Sequence, residues 1–102
     1  MNAAFLVQMK RDKNRLKWGE QNHPNGTGPN PDRIARRAAA QTLVDQGMKN
    51  GTVTYNNILL EEVAELACES DDAKVLAELL DVAAVAQDWA DSILRRQMEG
   101  KR

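Results

Sequence analysis

The chain has 102 residues, enough for one compact domain with a single core and too few for two. Its 42% hydrophobic and 28% charged residues exclude a disordered polymer, and no segment approaches a membrane span. The net charge of −1 hides a division: residues 1–56 hold nine Lys/Arg against four Asp/Glu, net +5, and residues 57–102 hold five against eleven, net −6; the near-neutral total and the lack of aromatic interleaving argue against a nucleic-acid binder.

The first predicted element is a helix over residues 3–18, with Phe5, Leu6, Met9, Leu16 and Trp18 as its apolar positions and Lys10, Arg11, Lys13, Arg15 and Lys17 making it basic. No continuous apolar run precedes Lys10, which points to a soluble, cytoplasmic protein. Residues 19–31, dense in Gly, Asn and Pro, are predicted to be a loop. Its Asn22, Asn25, Gly26 and Gly28 could turn backbone amides towards an anion, although a Gly/Asn loop is ordinarily only a turn.

A second, basic helix is expected from about residue 32, ending at 47 or at 50 according to whether Gly47 or Gly51 is its stop, with Ile34, Ala38, Leu43 and Val44 on its apolar side. Arg33, Arg36 and Arg37 occupy its first turn, where positive charge opposes the helix dipole; an anion-binding use would explain them, and simple exposure is the plainer account.

Thr52 or Thr54 can cap a third helix over residues 54–69, in which Leu59, Val63 and Leu66 form a core stripe at i, i+4, i+7. Cys68, the sole cysteine, excludes an intramolecular disulfide and a cysteine zinc site, fits a reducing compartment, and reads as a small apolar side chain. Ser70-Asp71-Asp72 breaks the pattern and caps a fourth helix over residues 71–98. No strand alternation runs more than a few residues, so the fold class is all-α, with the acidic helix pair of residues 54–98 joined by a short turn and therefore antiparallel.

That pair carries the chemistry. Glu62 and Glu65 are three apart on one helix, Glu78 and Asp81 three apart on the next, and residues so spaced share a helix face. Two such pairs on neighbouring helices can surround one point with four carboxylates, an all-oxygen set suited to magnesium, with manganese possible, rather than zinc. From Val75 to Ala86 the chain reads VLAELLDVAAVA, with Glu78 and Asp81 as its only polar side chains. A helix apolar on every side should be largely buried, and buried carboxylates need a cation. Lys74 is the one basic residue between 50 and 94, so a metal ion is a simpler compensation than ion pairing.

Residues 61–81, EEVAELACESDDAKVLAELLD, contain Glu61-Glu62-x-x-Glu65, a gap of 12 residues, and Glu78-x-x-Asp81. This signature, about a fifth of the chain, resembles that of the MazG-like all-α nucleoside triphosphate pyrophosphohydrolases, and the segment WGEQNHPNGTG is similar to small actinobacterial and phage members. The resemblance implies a four-helix-bundle-like unit assembled as a homodimer or homotetramer. It also implies magnesium-dependent hydrolysis of a nucleoside triphosphate to the monophosphate and pyrophosphate. Under it, Glu62, Glu65, Glu78 and Asp81 would ligate the metal, and one of Glu61, Glu62 or Glu65 would activate water. Trp18 and His23 would contact substrate by likeness to the Trp and His-x-Pro elements of the family, although His23 and Pro24 are adjacent here. For both, an ordinary reading stands beside the functional one: core packing for Trp18, a local hydrogen bond for His23. Lys74 and the arginines, Arg37 among them, are the candidate phosphate contacts. The alternative is a catalytically silent helical module that senses nucleotides or binds another protein.

Overall fold

The computed structural model describes residues 2–26 and 31–100, and these form four α-helices with no strand among them: α1 (Ala3–Trp18), α2 (Arg33–Asn50), α3 (Tyr55–Ala67) and α4 (Asp72–Gly100). None of the described helices is long and apolar enough to cross a membrane. The chain divides into two compact units, one of residues 1–24 with 86–102 and one of residues 25–85, and α4 contributes its C-terminal part to the first and its N-terminal part to the second.

In the first unit, α1 begins where the Asn2 side chain accepts the amide of Phe5, at 3.0 Å, and Asp91 on α4 accepts the amide of Ala3, at 2.8 Å. These carboxamide and carboxylate oxygens satisfy two amides that a helix start leaves without an intrahelical partner. Asp91 also sets a negative charge at the positive end of the helix dipole. Ala3 is buried at this junction, and α1 ends at Gly19, whose φ of 70° falls in the left-handed region a side chain disfavours.

In the second unit, α2 ends at Gly51, the later of the two expected stops. Gly47 lies inside the helix and is buried, and Gly51, at φ 68°, supplies the left-handed cap. The reason for a glycine at 47 is tertiary: a Cβ there would stand 2.8 Å from the Cα of Val53. The chain folds back tightly at this point, with the amides of Thr52 and Val53 both donating to the Gly47 carbonyl. Thr54 then starts α3 with a reciprocal capping box, its hydroxyl accepting from the Asn57 amide while the Asn57 side chain accepts from the Thr54 amide.

The turn from α3 to α4 is short, and Asp71 starts α4 by accepting the Lys74 amide at 3.2 Å. Asn25 ties the preceding loop to this turn, donating to Asp72 Oδ1 at 2.7 Å and to the Ser70 carbonyl at 3.4 Å. Two expectations are corrected. The N-terminal part of α4 is not buried all round: Val75 is buried, while Leu76, Leu79 and Leu80 remain 59%, 45% and 63% exposed. Val63, assigned to the α3 core stripe, is likewise exposed, whereas Leu59 and Leu66 are half-buried. Both departures have one cause: apolar spacing marks a face that can be covered, and the helices of this unit leave these faces open.

Candidate metal centre

Glu62 on α3 and Glu78 and Asp81 on α4 converge near the short turn that joins the two helices, each offering a carboxylate oxygen within 4.8 Å of the others. Oxygens around an octahedral magnesium ion at 2.0–2.1 Å are about 2.9–4.2 Å apart, so small side-chain adjustments would close the cluster on an ion. Glu65 stands beside Glu78, near enough to raise its pKa, and is half-buried like Glu62 and Glu78; Asp81 is exposed.

The electrostatics are those of an uncompensated site. Burial pushes the Glu62 carboxyl up to about 7, and the carboxylates of Glu65, Asp81, Glu78 and Glu61 push in the same direction. Glu78 is raised as well, first by burial, then by the nearby carboxylates of Glu65 and Asp81. No basic side chain enters either account. One oxygen each of Glu61, Glu62 and Glu78, Oε2 in every case, is buried without a hydrogen-bond partner. Orphaned carboxylate oxygens are costly in a low-dielectric setting, and a hard divalent cation would satisfy them. The residues present therefore fit magnesium, or manganese.

The remaining sequence candidates are dispersed. Lys74 is exposed on α4, four residues before Glu78 and seven before Asp81, which places it on their helix face. Arg33 and Arg36 line a groove between α2 and α3, together with Leu60, Val63, Ala64 and Ala67 of α3. By helical spacing those α3 residues lie opposite the side that carries Glu61, Glu62 and Glu65, so the two arginines are not brought to the carboxylates. Arg37 is exposed on α2.

Trp18 and His23 belong to the first unit. Trp18 is 61% exposed with the Lys17 ammonium 4.8 Å from its ring centroid, and His23 Nε2 is 3.0 Å from Gln21 Oε1, the local hydrogen bond that a loop histidine makes. Cys68 is half-buried, its thiol 3.5 Å from the Arg33 carbonyl. Of the loop residues, Gly28 lies outside the described residues, and Gly26 has φ 81° near the Glu69 carbonyl. Sequence reasoning missed Asn25 as a tether and Asp91 as a cap; both act on residues more than forty positions away, where spacing carries no signal.

No family model, curated protein or solved structure matches this chain.

Proposed function

We propose that the protein is a magnesium-dependent nucleoside triphosphate pyrophosphohydrolase, working as a homo-oligomer. The observation that carries the reading is the convergence of Glu62, Glu78 and Asp81 around orphaned, half-buried oxygens with no basic side chain to neutralise them. A bound magnesium ion would neutralise phosphate oxygens and lower the pKa of coordinated water. Glu62, Glu78 and Asp81 would hold it, with Glu65 beside Glu78 as a further carboxylate. Glu61 keeps an acceptor oxygen free to orient water. In the reaction, water oxygen bonds to the α-phosphorus, the bond from that phosphorus to the bridging oxygen breaks, pyrophosphate leaves, and the water proton passes to a carboxylate of the cluster. Lys74, exposed on the same helix face, would meet a phosphate.

The test is incubation of the protein with magnesium and a panel of canonical and modified nucleotides, followed by assay of pyrophosphate and monophosphate. Turnover that Glu62→Gln abolishes supports the reading. A protein that binds magnesium and turns over no nucleotide sinks it.

One observation favours a second reading, a module that binds nucleotide with metal and does not cleave it: Arg33 and Arg36 lie on the far side of α3, leaving the cluster short of cations for a transition state. Calorimetry separates the two, since heat of nucleotide binding without subsequent hydrolysis belongs to the module alone.

A further inference from the structure

Apart from buried Ala3 and half-buried Leu6, every residue of α1 is exposed, so the first unit covers only the N-terminal end of this helix. Phe5, Met9 and Leu16, at i, i+4 and i+11, make one apolar stripe and are 54%, 53% and 90% exposed. Helical spacing puts the stripe on the side of α1 opposite Ala3, the residue whose amide Asp91 holds. A hollow of about 740 Å³ is lined by Leu6, Met9, Lys10, Lys13 and Leu16, among others, and by Ala90 of α4, so the stripe borders space that hydrocarbon can fill. The helix carries five Lys/Arg and a single acid, Asp12, which accepts a hydrogen bond from Gln8 at 2.9 Å. Helical spacing sets Lys13 on one flank of the stripe and Arg15 on the other. Neither has a hydrogen-bond or ion-pair partner among the described residues.

We propose that α1 lies flat on an anionic lipid surface, with Phe5, Met9 and Leu16 dipping among the acyl chains and Lys13 and Arg15 meeting the headgroups on either side. The contact is peripheral, since no described helix is long and apolar enough to cross a membrane. Charge complementarity selects the occupant, and the apolar stripe narrows it. Nucleic acid would take the cations but return little for Met9 and Leu16. A second copy seated on the same stripe would set cations against cations. An anionic bilayer takes both: long basic side chains bury their stems along hydrocarbon while their heads reach the phosphates. The proposal does not rest on the metal reading, because the carboxylate cluster belongs to the other unit.

The full chain is mixed with vesicles of phosphatidylcholine, with or without phosphatidylglycerol, at physiological salt and floated on a density gradient. It is expected to float with the anionic vesicles and to stay behind with the neutral ones. Lys13→Gln combined with Arg15→Gln should weaken partitioning about 30-fold, at about fivefold for each basic residue near an anionic surface. Leu16→Gln, which leaves the charge unchanged, should weaken it by at least about fivefold. All three positions are exposed, so helical circular dichroism should be retained in every variant. Failure to float with anionic vesicles overturns the proposal, whether the chain is then retained on DNA or found by light scattering as an oligomer that Leu16→Gln dissociates. Flotation that either variant leaves unchanged overturns it as well, because the contact then lies elsewhere or lacks one of its two parts.

Discussion

The two units handle charge in opposite ways. Around α1 the basic residues project into water, Lys17 resting on the exposed ring of Trp18, and the one carboxylate turned inward, Asp91, is engaged by the Ala3 amide. At the α3–α4 turn, carboxylates are packed against one another, partly withdrawn from water, with buried oxygens that nothing engages. The first arrangement is what stability alone selects; the second destabilises the metal-free fold and makes sense where another charge is to arrive. A dense patch of charge says little until its compensation is counted.

The comparison is most directly broken at Glu62. Glu62→Gln should lower turnover by at least about a hundredfold, because it removes a metal ligand, and should raise the melting temperature of the metal-free protein by several degrees, because it removes a repelled carboxylate. Loss of both activity and stability would mean that Glu62 is an ordinary packing residue, which paired activity and melting measurements would reveal.

A pH titration of the metal-free protein comes next. Glu62 ionises near 7 in the fold and near 4.5 when unfolded, so between those values the folded state holds the extra proton and stability falls as pH rises. The expected loss from pH 4.5 to 7 is about 5–10 °C in melting temperature, discounted because Glu62 keeps some contact with water. Magnesium competes with the proton and should flatten the slope, stabilising more at pH 8 than at pH 5. A stability that climbs through this range would contradict the assignment of the cluster.

Two smaller effects sharpen the contrast between packed and solvated positions. Gly47→Ala forces a methyl group to 2.8 Å from the Val53 backbone and should cost about 1–3 kcal/mol in urea unfolding, although alanine is the better helix former. Trp18→Ala, at an exposed helix end, should change stability by less than about 0.5 kcal/mol. If Trp18 serves only the surface, nucleotide affinity will not move either; a loss in a binding titration would return it to the substrate site.

Much of this was legible in the residues. The end of α1 at Gly19, the start of α3 near Thr52 or Thr54 and the start of α4 within Ser70-Asp71-Asp72 could be read there, because capping is local chemistry; the Asn2 cap of α1 was found only in the structure. The meeting of Glu62, Glu78 and Asp81 was legible for a related reason: i, i+3 spacing on two helices joined by a short turn leaves few ways to arrange them. The residues left Gly47 and Gly51 both open as the stop of α2, because a glycine late in a helix resembles one; the approach of Val53 is what explains the glycine at 47. The openness of Leu76 and Leu80 was hidden because an apolar run reports what a helix can bury and not what covers it. The arginines of α2 were equally opaque, since nothing in their spacing tells which face of α3 they border.

The candidate ligands of the carboxylate cluster all fall between residues 62 and 81, on two helices and the turn between them. A site so local in sequence closes a short loop, and the entropy of closing it is small. An ion captured there would bind a hairpin that can form before the rest of the chain has docked. Its effect would then appear in the folding rate more than in the unfolding rate, making the metal a nucleus for the fold as well as a reagent within it.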